Sequence, residues 1–145
     1  MNVAGPVICD TSGLVAAVDT TDPDHRAAAE VLARADGPFV VSSLVVTETD
    51  HLLRARLTDD AARTFADDIA AGAYELAPLT TSDLATCLDV DRRYADLGLG
   101  LADAHLVVLA AAYRTDLIMT LNERHLRAIR PLRGPRAFRL LPADR

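Results

Sequence analysis

Apolar positions along this chain switch between two rhythms, short continuous runs and a spacing of three or four, and turn-forming residues mark the switches. Val7-Ile8-Cys9 is a continuous run between Gly5-Pro6 and Ser12-Gly13. It predicts a buried central strand that stops at Asp10. Gly13 to Asp19 predicts a short apolar helix ending in Thr20-Thr21-Asp22-Pro23. Asp22 with Pro23 behind it predicts the next helix start, because Asp caps free N–H groups and proline fits the first helical position. Ala27, Ala28, Val31, Leu32 and Ala35 then recur at helical spacing until Gly37-Pro38. Phe39-Val40-Val41 predicts a second strand, and Ser42 or Ser43 the cap of a helix from Leu44 to about Leu57.

The alternation continues. Thr58-Asp59-Asp60 opens a helix with acids in the first turn, where they suit the helix dipole, and Ala71-Gly72 ends it. Tyr74-Glu75-Leu76 predicts a short strand, and Thr80 or Thr81 with Asp83 opens a helix to about Leu97. From Leu99 to Tyr113 the chain is apolar nearly all round, which predicts a helix buried on most sides. Asp116 to Thr120 and Phe138 to Leu141 complete the strands. Strands separated by helices imply an α/β fold, a three-layer α/β/α sandwich with a mainly parallel central sheet. At 145 residues the expectation is a single domain, residues 1–145.

Composition narrows the chemistry. The formal net charge is −6, so the molecule as a whole is no general polyanion binder, and any nucleic acid needs a local positive region or bound cations. All 15 basic residues are Arg, which excludes mechanisms that rest on a catalytic or phosphate-binding lysine. Cys9 and Cys87 sit in apolar surroundings on separate elements, which suits two reduced, buried thiols. No apolar run approaches the roughly 18 to 20 residues that span a bilayer, and no basic region precedes an apolar segment at the start. The expectation is a cytoplasmic protein without a membrane partner.

Three acids stand apart from the solvated charge. Asp10 is placed at the carboxyl end of a strand, where open α/β sheets bind ligands, although an N-cap role for Asp10 or Ser12 accounts for its position equally well. Glu48 has Leu44, Val45, His51 and Leu52 as its helical neighbours, so its carboxylate either awaits a cation or reaches water at the edge of the face. Asp103 opens the most apolar helix with no basic residue three or four positions away. A favourable helix dipole offers roughly 0.3 to 1 kcal/mol, less than the burial of an unpaired charge costs. Carboxylates gathered at one sheet edge repel one another unless a divalent cation neutralises them, and hard oxygen donors favour Mg²⁺ or Mn²⁺ over zinc. His105 is read as a core or interface histidine; His25, His51 and His125 have no assigned role. After Asp116 the charge reverses: residues 117 to 145 hold seven Arg against Glu123 and Asp144. Arg124, Arg127, Arg130, Arg133, Arg136 and Arg139 recur every third residue, a basic strip beside the acidic site or a solubilising tail.

These residues resemble the PIN-domain ribonucleases, specifically the VapC-type toxins of bacterial type II toxin–antitoxin pairs. The resemblance runs through Ile8-Cys9-Asp10-Thr11-Ser12, Val45-Val46-Thr47-Glu48, Gly98-Leu99-Gly100-Leu101-Ala102-Asp103-Ala104 and Thr120-Leu121-Asn122-Glu123-Arg124-His125-Leu126. It implies a Mg²⁺-dependent endoribonuclease in which Asp10, Glu48 and Asp103 are the catalytic acids. Asp10 and Asp103 would hold the metal, Thr11 or Ser12 would orient Asp10, and Thr120 and Asn122 would support the site. It also implies an RNA substrate, with Arg124 and Arg127 as candidate contacts, a homodimer, and a cognate antitoxin that holds the protein inactive. One position departs from the family pattern: Asn122 stands where an acid is usual, which leaves one metal ion as the safer expectation than two. Val107, four residues after Asp103, supplies no further acid. A non-catalytic PIN-like module that binds RNA or protein is the alternative. Receiver-domain chemistry would need a lysine, and a haloacid-dehalogenase-like phosphatase would need an acid where Ser12 stands.

Overall fold

The computed structural model describes residues 3–145. In chain order the elements are β1 (Val7–Cys9), α1 (Thr11–Val18), α2 (His25–Arg34), β2 (Phe39–Ser42), α3 (Ser43–Arg56), α4 (Asp59–Ala70) and β3 (Glu75–Ala77). Then follow α5 (Thr81–Arg93), a 3₁₀ turn (Ala95–Leu97), α6 (Gly100–Ala112), β4 (Leu117–Met119), α7 (Glu123–Ala128) and β5 (Arg139–Leu141). The five strands form one sheet in the order β3-β2-β1-β4-β5, and every neighbouring pair is parallel. Strands this short can be buried whole only because helices cover the sheet, and β1 and β4 are indeed buried at every residue.

The strand order fixes where a ligand can sit. After β1 the chain builds outward through β2 and β3, then crosses to the other side of β1 for β4 and β5, so the order reverses between β1 and β4. The loops leaving neighbouring strands part at such a point and leave a crevice at the carboxyl ends. Asp10 N–H donates to the Met119 carbonyl at 2.9 Å across that junction. Gly13 lets α1 lie close over it: a Cβ there would meet Met119 Cγ at 3.0 Å and the Met119 carbonyl oxygen at 3.1 Å.

Side-chain caps set most helix starts. Ser42 accepts from Leu44 N–H, Thr58 from Ala61 N–H and Thr80 from Asp83 N–H, which resolves the Ser42/Ser43 and Thr80/Thr81 alternatives. Asp22 does otherwise. Its carboxylate accepts from Asp24 N–H at 2.8 Å, closing a turn, and α2 begins only at His25. The helix expected to reach Leu97 ends at Arg93, where Tyr94 leaves helical geometry and a separate 3₁₀ turn follows. The short helix α7, unmarked in the polar run after Asn122, docks through buried Leu126.

His105 is a core residue. It is fully buried, with Nδ1 2.6 Å from Ser42 Oγ and Nε2 3.5 Å from the Asp83 carboxylate. Ser42 Oγ also accepts from Leu44 N–H, so this one hydroxyl caps α3 and ties it to α6. Burial holds the His105 pKa below the ordinary value, with the Asp83 carboxylate opposing. His25 Nδ1 lies 2.9 Å from the Ala16 carbonyl and ties α2 to α1. Both cysteines are buried free thiols.

Candidate metal centre

Asp10 is the residue immediately after β1, and its position follows from the strand's being buried to its last residue. It is 7% exposed, and its carboxylate is held by three donors. Thr11 N–H donates to Oδ1 at 2.8 Å; Ser12 Oγ and Thr120 Oγ1 donate to Oδ2 at 3.1 and 2.8 Å. The two hydroxyls are themselves oriented by the loop after β4. Leu121 N–H donates to Ser12 Oγ at 2.9 Å and Asn122 N–H to Thr120 Oγ1 at 3.0 Å, which leaves each hydroxyl proton for Asp10. The cap reading and the site reading of Asp10 thus hold together, since one oxygen caps α1 while the other is fixed from β4.

Asp10, Glu48 and Asp103 line one cavity of about 430 Å³, together with Thr11, Ser12 and Asn122. Each comes from a different element: β1's end, α3 and the first turn of α6. Burial raises the pKa of Asp10, and Glu48 raises it further, against the lowering effect of the three hydrogen bonds. Asp103 is raised by burial and then by Asp10 and Glu48, while His125 opposes. Glu48 is exposed, at the mouth of the cavity, so the reading in which it reaches water describes its free state. Among the described residues neither Asp10 nor Glu48 has an ion-pair partner, and no three His, Cys, Asp or Glu side chains close on one point. The acids line the cavity without converging.

Hard carboxylate oxygens without a thiol fit a Mg²⁺- or Mn²⁺-sized ion better than zinc. The raised pKa values mark the same fit from the other side, because a cation would relieve the desolvation and mutual repulsion that lift them. Asn122 is exposed and lines the cavity with an amide that brings no charge.

Two residues at the site, Arg56 and His125, were not singled out from the sequence, and Asp22, expected only as a helix start, lines the cavity as a further acid. Arg56 is the cation on the cavity wall, and it stands with Glu48 and Leu52 along one ridge of α3. The spacing of four between 48, 52 and 56 was the available signal. His125 lies with Nδ1 3.5 Å from Asp103 Oδ2, a contact that exists only because α7 folds back toward α6. His51 is exposed on α3.

The arginine strip divides. Arg127 has all three guanidinium nitrogens engaged, by Glu123 and Asp144 at 2.6 to 3.2 Å. Arg139 donates to the Asp144 carbonyl and Arg145 to Glu30. Arg124 is exposed without an ion pair among the described residues, and neither Arg124 nor Arg127 lines the acidic cavity.

Comparison with known proteins places this arrangement. The PIN domain family model matches residues 7–130. The chain is 40% identical over 136 residues to ribonuclease VapC26 of Mycobacterium tuberculosis, covering 94% of this chain and all of that protein. The fold is similar to that of Mycobacterium tuberculosis VapC20, a sarcin–ricin loop cleaving toxin, with a TM-score of 0.72 at 20% identity over 77% of this chain and 86% of that one. It is also similar to a chain of the VapBC2 complex of Rickettsia felis, solved with a promoter DNA fragment, with a TM-score of 0.63 at 17% identity over 97% of each chain. With the parallel sheet, the acid at the end of β1 and this likeness along nearly the whole length, the chain belongs to the PIN-domain family, among the VapC-type proteins.

Proposed function

We propose that this protein is a Mg²⁺-dependent endoribonuclease, with Mn²⁺ able to serve, and the toxic component of a type II toxin–antitoxin pair. It works as a single PIN-like domain, as a homodimer in the cytoplasm, and is held inactive by a cognate antitoxin. The likeness to ribonuclease VapC26 and to toxins solved with their antitoxins supports the class. No described helix is long and apolar enough to cross a membrane. The observation that carries the chemistry is Asp10, a buried carboxylate fixed by three donors, uncompensated by any ion pair among the described residues, in a cavity shared with Glu48 and Asp103.

Asp10 and Asp103 would hold one ion, with Glu48 joining directly or through water. A bound divalent ion supplies a water of lowered pKa and neutralises charge on a phosphoryl oxygen, the two needs of phosphodiester hydrolysis. Thr11, Ser12 and Thr120 keep the Asp10 oxygens aimed and prevent the carboxylate from rotating toward its repelling neighbours. Asn122 presents a neutral carbonyl oxygen, consistent with a single ion. Arg56 provides the positive charge on the cavity wall that can meet a phosphate oxygen. Arg124, exposed beside the site's loop, is free for backbone phosphates, whereas Arg127 serves first to pin Asp144.

Calorimetric titration of the metal-free protein with Mn²⁺ tests the centre. Saturable binding that disappears in Asp10→Asn, with the variant still folded, is the expected result. A wild-type protein with no saturable Mn²⁺ binding would instead be the non-catalytic module.

A further inference from the structure

A second cavity, of about 400 Å³, lies away from the acids between the end of α5 and the loop that follows α7. Arg93, Arg130, Arg133 and Arg136 line it, all exposed and none in an ion pair among the described residues. No carboxylate lines it, in a chain that carries six more acids than bases. Its far wall is stiffened by Pro131 and Pro135 and turned at Gly134, whose φ of +77° suits glycine alone without strain. Its floor is Tyr94, packed against the core, whose hydroxyl accepts from Arg130 N–H at 3.1 Å. The arginines therefore sit on a braced frame, with their spacing of three fixed by the loop rather than by a helix.

Along the chain, each wall of this groove leads to a residue that lines the acidic cavity. One runs from Asn122 through α7, six residues and about 9 Å long, to Arg130. The other runs from Tyr94 through the 3₁₀ turn to Leu99, which lines the acidic cavity. At the acids a polyanion meets repulsion that only the ion and Arg56 offset, so much of its affinity must come from elsewhere on the surface.

Resting on the ribonuclease reading, we infer that the groove of Arg93, Arg130, Arg133 and Arg136 is a substrate exosite that holds the phosphate backbone of single-stranded RNA flanking the cleavage point. Four unpaired guanidinium groups around one groove supply bidentate donors for successive phosphates without reading bases. The groove accounts for how a protein of net charge −6 retains a polyanion long enough to cut it.

The test is fluorescence anisotropy of a labelled single-stranded RNA with the full chain in EDTA, titrated with salt. The variant is Arg130→Gln/Arg133→Gln/Arg136→Gln, and the charge-matched control is Arg26→Gln/Arg34→Gln/Arg63→Gln. Each lost phosphate contact removes about 0.7 from the slope of log K against log salt, so the groove variant should be shallower by about 2 and bind at least about tenfold more weakly. The control should keep the wild-type slope. Unchanged affinity and slope in the groove variant overturn the inference, as does an equal loss in the control, or capture of poly-glutamate but not RNA. Cleavage with Mn²⁺ is read separately: intact RNA would defeat the nuclease reading while anisotropy still reports on the groove.

Discussion

Burial, with Glu48 nearby, holds the Asp10 carboxylate in a form that costs stability in the free protein. Its folded pKa is raised above the ordinary 3.8, so the native state binds more protons than the unfolded state in the window just above that value. The favourable contribution is full below the unfolded pKa and is lost as pH rises through the raised folded value. At neutral pH without metal, Asp10→Asn should therefore be more stable than wild type, by roughly 2 to 4 °C in melting temperature for each kcal/mol of relieved repulsion. Mn²⁺ should raise the wild-type melting temperature and leave that of the variant unchanged. His105 behaves in the opposite sense. Its buried ring has a folded pKa below the unfolded 6.5, so stability is full above 6.5 and falls as pH drops through that value toward the folded pKa. Urea unfolding of wild type and His105→Gln at pH 7 and 5.5 should show the larger pH loss in wild type. At this scale the acids were legible because Asp10 ends an apolar run, Glu48 has mostly apolar helical neighbours and Asp103 opens the most apolar helix. The Asp103–His125 contact was not, since 22 positions and the fold of α7 separate the pair. Arg127 looked equivalent to its neighbours in sequence, and only the return of Asp144 distinguishes it.

Two elements, α1 and β4, carry the geometry of the site. Ser12 and Thr120 reach the same Asp10 oxygen only while α1 lies close over the end of β4, and Gly13 makes that approach possible. In Gly13→Ala the new methyl would meet the backbone oxygen of a fully buried residue, Met119, so the helix must move by a few tenths of an ångström. The expected cost is about 1 to 3 kcal/mol in denaturant unfolding. Mn²⁺ affinity should fall beyond what the residual folded fraction explains, because the hydroxyls shift from Asp10. Caps and continuous apolar runs revealed most elements: Ser42, Thr58 and Thr80 each start a helix within a residue of where the pattern placed it. Asp22-Pro23 misled because a carboxylate that can cap a helix can also close a turn two residues earlier. The 3₁₀ turn after Arg93 carries no pattern of its own and is set by the docking of Tyr94.

Across the whole molecule, charge is divided between an acidic cavity at the β1–β4 junction and an arginine groove one short helix away. The parallel sheet was foreseeable from the alternation of strands and helices. The strand order was not, because periodicity does not say on which side of β1 the fourth strand returns. That order is what brings Thr120 to Asp10. The proposed activity requires Asp10 and a divalent ion to cut RNA together. Purified, antitoxin-free protein should therefore be incubated with total bacterial RNA, with Mg²⁺ or Mn²⁺, with EDTA, and as the Asp10→Asn variant. Discrete fragments are expected from wild type with metal. EDTA should stop the reaction, and the variant should lose at least about a thousandfold in rate, the equivalent of several kcal/mol of metal-supplied stabilisation. Intact RNA from folded wild-type protein under every metal condition, or equal cutting by Asp10→Asn, would contradict it.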